Sequence, residues 1–198
     1  NLVTNASEAG GLHGNFKWEP RWRRSGNNWL AGEASVSGKL GQGDFTLSLE
    51  NDAARNGVEG PEQITDRFGG LLFERDEVAR YLQDRPKISG SYSRTSEGGA
   101  LFNANAAYQM FRKRETVATD RTQFGQPDIF ELYSSNEDEW NTEFSADYAF
   151  DLGDGRLKLI GLQRFEHSPV TDFFGQTFFD GITPPNGSRF DRITDEGE

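Results

Sequence analysis

The sequence predicts an all-β chain. It reads as an antiparallel up-and-down meander of long hairpins, a partial transmembrane β-barrel with short turns at one end and long loops at the other. Three observations carry this. From Trp140 to Leu152 the side chains alternate: Trp140, Thr142, Phe144, Ala146, Tyr148, Phe150 and Leu152 share one parity, while Asn141, Glu143, Ser145, Asp147 and Asp151 share the other, broken only by Ala149. A period of two marks a strand between two unlike environments. Its length is about twice that of an ordinary soluble strand and suits a barrel wall, which needs about ten residues with apolar side chains facing lipid. The second observation is that turn signals alternate in length. The third is that aromatics gather near the ends of the proposed strands.

The elements follow in order. Phe16, Trp18, Pro20 and Trp22 alternate with Asn15, Lys17, Glu19, Arg21 and Arg23 in a first strand, where Pro20 requires an edge or a bulge. Leu30, Gly32, Ala34, Val36, Gly38 and Leu40 form the second strand, and Gly41-Gln42-Gly43 turns it into a third carrying Phe45, Leu47 and Leu49. Residues 51–84 are polar and read as a surface loop or as strand ends rising beyond the wall, with weak helical spacing over Asp76 to Gln83. Ile88, Gly90 and Tyr92 open the next strand. It turns at Ser96-Glu97-Gly98-Gly99 into a partner bearing Phe102, Ala104, Ala106, Tyr108 and Met110. A polar stretch over 112–138 precedes the Trp140 strand, which turns at Gly153-Asp154-Gly155 into a return strand over 156–165. Residues 166–188 read as loop, and Arg189 to Thr194 as the start of one more strand. Short turns thus alternate with long connections, the segregation expected of periplasmic turns and extracellular loops. Trp18, Trp22, Trp29, Tyr92, Tyr108 and Trp140 sit where interfacial girdles belong.

Composition narrows the classes. The 198 residues suffice for one large domain. Mean hydropathy is −0.75, low for a packed core, yet 16 Phe, 5 Tyr and 4 Trp argue against disorder, which is poor in aromatics. Walls with one wet face reconcile the two. A net charge of −11 disfavours nucleic acid, and Arg21, Arg23 and Arg24 read as a solvated face. Without cysteine there is neither a disulfide scaffold nor a thiolate metal site. No run of about twenty apolar residues could form a spanning helix.

No catalytic, cofactor-binding or metal-binding residue is expected, and no enzymatic role. The acids Glu137, Asp138, Glu139, Asp151, Asp154, Asp195, Glu196 and Glu198 cluster in proposed loops without the two-carboxylate spacing of glycoside hydrolysis. Asp151-Leu-Gly-Asp154-Gly155 lacks the ligand spacing and distal Glu of a calcium loop and reads as a Gly-closed turn. His13 and His167 are isolated in sequence, too few for zinc. In a barrel, Lys17, Arg21 and Arg23 on one strand and Glu143, Asp147 and Asp151 on another would line the lumen and form structural ion pairs.

Three passages bring a family into view: Arg156-Leu-Lys-Leu-Ile-Gly-Leu-Gln-Arg-Phe-Glu-His-Ser-Pro169, Gly187-Ser-Arg-Phe-Asp-Arg192 with Asp195-Glu-Gly-Glu198, and Gly38-Lys-Leu-Gly-Gln-Gly-Asp-Phe-Thr-Leu-Ser-Leu49. With Glu137 to Leu152, they resemble the barrel of TonB-dependent outer-membrane receptors. Such barrels have about 22 strands, against seven or eight here, and nothing in the chain is similar to the energy-coupling box, the plug or a terminal aromatic strand. The resemblance therefore implies that residues 1–198 are an internal fragment of a receptor barrel, with plug domain and C-terminal strands absent. It implies location in the outer membrane of a Gram-negative bacterium and energy-coupled uptake of a siderophore, cobalamin or glycan-type nutrient. The implied partners are outer-membrane lipid, the rest of the barrel and its plug, TonB through the missing N-terminal region, and a small nutrient. No ligand-contacting residue carries over. The alternatives are a complete small outer-membrane barrel, in which the first strand pairs with the last, and a soluble β-sandwich binding module with a second sheet over the aromatic face.

Overall fold

A computed structural model describes residues 11–22 and 26–197. Those residues form one antiparallel sheet without a helix: β1 (His13–Trp18), β2 (Gly32–Leu40), β3 (Gly43–Asn51), β4 (Ala54–Thr65), β5 (Leu71–Asp84), β6 (Pro86–Thr95), β7 (Leu101–Thr122), β8 (Ile129–Leu152), β9 (Gly155–Phe178) and β10 (Asn186–Gly197). The meander of long hairpins is as the alternation predicts. Arg23 and Arg24, read above as a solvated face, lie outside the described residues, as does Glu198.

The ten strands run along eight continuous lines. Pairing passes from Asn51↔Pro86 to Ala54↔Gln83, three residues further on each side, so β4 prolongs β3 and β5 precedes β6 without a slip in register. Along β7, Lys87↔Gln109 passes to Asp84↔Arg112 in the same way. Face parity is therefore conserved along each line from the short turns outward, until the register of β4 against β5 shifts between Ile64 and Thr65 beside the tip.

The short turns are where the sequence puts them. Leu40 pairs with Gly43 and Leu152 with Gly155, leaving Gly41-Gln42 and Gly153-Asp154 as two-residue loops. Gly41 and Gly153 have φ of 63° and 61°, and a Gly-first loop of this kind has a twist that suits the flanking strands. Ser96 and Ala100 close the third short turn around Glu97-Gly98-Gly99, the Ser96 N–H donating to the Ala100 carbonyl at 2.8 Å.

At the opposite end the excursions are long, but they are built differently from loops. Residues 54–65 and 71–84 form a hairpin with its tip at 66–70, so the helical spacing of Asp76 to Gln83 belongs to a strand. Residues 112–122 and 129–138 continue β7 and β8, and 166–178 continue β9 to its hairpin with β10. The reason is backbone satisfaction: each N–H and C=O needs a partner, and a neighbouring line already in register supplies it. Pro20 is the other departure. The first strand stops at Trp18; beyond it the Glu19 N–H donates to the Ala31 carbonyl at 2.9 Å, and Arg21 forms an isolated bridge to Asn28.

Among the described residues, β1 pairs only with β2 and β10 only with β9, so the sheet is not closed into a barrel by this chain. Among the described residues no second layer lies over either face, and the sandwich alternative finds no partner sheet. The buried apolar residues are Ala31, Ala53, Ala79, Ala149 and Val170. The larger rings and aliphatic chains remain exposed, Phe16 at 68%, Phe144 at 52% and Leu159 at 56%. The sheet is held by its ladders and cross-strand pairs, not by a core.

Candidate membrane-facing surface

Registers turn the sequence pattern into rows across the sheet. Trp18 pairs with Gly32, Gly32 with Asn51 and Asn51 with Pro86; on the other side Met110 pairs with Trp140, Trp140 with His167 and His167 with Asp195. This row carries two tryptophans. One row nearer the short turns are Phe16, Ala34, Leu49, Ile88, Tyr108, Thr142 and Phe165, each paired with the next. Further down, Phe45, Tyr92, Ala104, Ala146 and Gly161 form a row, and Phe102, Tyr148 and Leu159 another. All share one face. Between the Trp row, which holds Asp195 beside His167, and the short turns, that apolar face bears one charged side chain among the described residues, Arg94.

The height of this band can be worked out. Trp140 to Phe150 is ten residues, about 33 Å along the strand at about 3.3 Å each. At the tilt of about 40° usual in barrel walls, this spans about 25 Å, the height of a lipid-facing band.

The opposite face over the same rows is polar. Ser37 and Thr46 hydroxyls meet at 2.9 Å, Lys39 pairs with Asp44 at 2.8 Å and Lys87 with Glu50 at 3.3 Å. Asn103 Nδ2 donates to Asp147 at 3.0 Å, and Lys158 reaches the same carboxylate at 3.5 Å. The expected lumen charges thus find near neighbours: Lys17 pairs with Glu19 at 3.0 Å and Arg21 with Glu19 at 3.5 Å, not with the acids of β8. Ile160 and Leu162 break the pattern, standing exposed on the polar face of β9.

Beyond the Trp row both faces become charged. On the side that continues the apolar face, Arg55 donates to both Asp84 oxygens at 2.8 Å, Arg80 pairs with Glu59 at 3.5 Å and Arg114 with Asp138 at 2.7 Å, interspersed with Val78 and Leu82. On the other side, Arg75 pairs with Glu62 at 2.7 Å, Lys113 with Glu115 at 3.1 Å and Arg121 with Glu131 at 3.9 Å. Hydrogen bonding to Glu115 raises the Lys113 pKa, and hydrogen bonding to Glu62 raises that of Arg75. At the β9–β10 tip, the Thr183 hydroxyl and the Ile182 and Thr183 N–H groups donate to Asp180 and lower its pKa.

The acids singled out in the sequence are dispersed. Glu137 and Glu139 share the polar side of β8 while Asp138 points the other way to Arg114. Asp151 is the last residue but one of β8, and Asp154 lies in the two-residue turn. His13 and His167 are on β1 and β9, which do not pair; His167 packs on Trp140 with centroids 5.8 Å apart and bonds Asp195. No group of three or more His, Asp or Glu side chains is arranged to hold a metal ion among the described residues.

No family model, curated protein or solved structure matches this chain. What the site consists of is therefore a surface: an apolar band about a bilayer core in height, a hydrated reverse face, and charged hairpins beyond one rim. Arg94, Ile160 and Leu162 went unremarked in the sequence reading. Arg94 could have been found there, since it shares the parity of Ile88, Gly90 and Tyr92.

Proposed function

We propose that this chain forms part of the wall of an outer-membrane β-barrel in a Gram-negative bacterium, of the TonB-dependent receptor type. Its role is then energy-coupled uptake of a small scarce nutrient such as a siderophore, cobalamin or glycan. One observation carries the membrane reading: the same sheet face is apolar for about 25 Å and acquires Arg–carboxylate pairs immediately beyond the Trp18/Trp140 row. A soluble face would have no reason to change at a fixed height across four neighbouring lines, β3–β4, β5–β6, β7 and β8. The unpaired edges of β1 and β10 support a wall continued by further strands, since exposed edges invite pairing. The polar reverse face suits a water-filled or plugged lumen.

The receptor assignment rests on the strand and turn passages described above and is tested by transport. Cells with and without the gene are compared for uptake of labelled ferric siderophores, cobalamin and oligosaccharides, with and without a proton-motive-force uncoupler. The expected result is outer-membrane fractionation and loss of one energy-dependent uptake. Recovery of the protein in the soluble fraction, or unchanged uptake of every class, defeats the assignment.

A further inference from the structure

Two depressions on the apolar face meet at Tyr92. The larger, about 620 Å³, lies between Tyr92 and Phe144 over a floor that includes Ala104, Ala146 and Gly161. The smaller, about 390 Å³, passes Phe102 and Tyr148 and ends at Arg94. The groove exists because Ala104, Ala146 and Gly161 make a low stretch beside Tyr92 in one row, while the row Phe102–Tyr148–Leu159 next to it stands high. At Gly161 an added Cβ would meet nothing nearer than the Ala146 carbonyl oxygen at 4.0 Å, so the floor is open space.

Arg94 stands two residues from the Ser96 turn, at the short-turn rim of the band. It pairs in register with Gly43 and Phe102, which puts its guanidinium on the apolar face. That guanidinium donates to Gln42 Oε1 and has no carboxylate partner among the described residues. A charged group facing hydrocarbon is costly unless it reaches the headgroup level and finds an anion. Tyr92 lies across the same rim, its hydroxyl donating to the Leu40 carbonyl at 3.4 Å.

We propose that the groove seats an acyl chain of a phospholipid with a net negative headgroup, whose phosphodiester, uncompensated by a cationic headgroup, is gripped by Arg94. The planar guanidinium offers paired N–H donors that match two phosphate oxygens, and the groove leads from that cation into the apolar band. The proposal rests on the lipid-facing reading of the band. It adds a preferred headgroup charge and a place for it.

The test is native mass spectrometry of the full-length protein in mixed micelles of detergent with phosphatidylglycerol or phosphatidylcholine. Wild type should retain phosphatidylglycerol about fivefold over phosphatidylcholine, the ratio expected of one arginine near an anionic lipid surface. Arg94→Gln should bring the ratio to about one, and Arg94→Lys should keep part of the preference. Gly161→Leu should lower retention of both lipids with the ratio unchanged. A wild-type ratio in Arg94→Gln, full retention in Gly161→Leu, or displacement of the lipid by inorganic phosphate overturns the seat. Thiol labelling of Phe144→Cys in vesicles separates the two ideas. Protection there with no effect of Arg94→Gln rejects only the seat, whereas free labelling rejects the lipid-facing band and the seat together.

Discussion

An arginine at Ala146 would put a charge near the middle of the apolar band. Ala146 lies six residues from Trp140 on β8, about 20 Å along the strand and about 15 Å below the Trp row at a barrel tilt of about 40°. Its row holds Tyr92, Ala104 and Gly161, with no acid to pair. At that depth an arginine on a lipid-facing strand costs about 2–4 kcal/mol, or about 30- to 800-fold in the unfolding equilibrium. Ser145→Arg is the matched control. Ser145 is one residue away on the polar face, between Glu143 and Asp147 in sequence, where a substitution should change stability by less than about 0.5 kcal/mol. The assay is urea unfolding of the full-length protein in phospholipid vesicles. Equal effects of the two variants, or a larger effect at Ser145, would refute the sidedness of the sheet.

Three further outcomes are expected. Arg55 is half-buried and donates to the Ala54 and Gln83 carbonyls as well as to Asp84; Arg55→Gln should cost about 1–2 kcal/mol, seen as hydrogen exchange about tenfold faster in β4 and β5 alone. Uniform acceleration across β8 and β9 would count against this local role. At Gly43 an added Cβ would lie 2.4 Å from the Tyr92 ring and 2.6 Å from the Ser93 carbonyl oxygen, so Gly43→Ala should lose about 1–3 kcal/mol in urea melts, while Gly98→Ala, whose nearest neighbour would be Ser96 Oγ at 3.9 Å, should be near neutral. The Asp180 pKa is lowered in the folded turn by its Thr183 and backbone donors. Its stabilisation is therefore complete above the ordinary aspartate value of about 4 and lost as pH falls through the lower folded value. NMR shifts of the Ile182 and Thr183 amides should follow that titration and cease to do so in Asp180→Asn.

Legibility in the sequence followed environment. Between Trp140 and Leu152 the two faces meet different surroundings, so alternation was plain and gave β8, its turn at Gly153 and its partner β9. Beyond the Trp row both faces carry ion pairs such as Arg114–Asp138 and Lys113–Glu115. A strand wet on both sides has no period-two contrast, and residues 51–84, 112–138 and 166–188 therefore looked like loop. The helical spacing near Asp76 to Gln83 came from Val78, Tyr81 and Leu82 falling three and four residues apart on a strand. Arg55 and Asp84 are 29 residues apart in sequence, and only the unbroken register of β3–β4 against β5–β6 brings them together. The groove was hidden for the same reason: its floor residues Ala104, Ala146 and Gly161 come from three lines, each showing merely a small residue in an apolar series.

The most direct measurement is spin-label accessibility along β8 in the full-length protein, in bilayers, using single cysteines introduced from Ser134 to Leu152 into a cysteine-free chain. Labels at Phe144, Ala146 and Tyr148 should collide with oxygen and be shielded from a polar nickel chelate, with the reverse at Glu143, Ser145 and Asp147. That contrast should vanish from Asp138 back to Ser134. Nickel accessibility on both faces below Trp140, or shielding of both, would mean that the ring-bearing side of the sheet does not meet hydrocarbon.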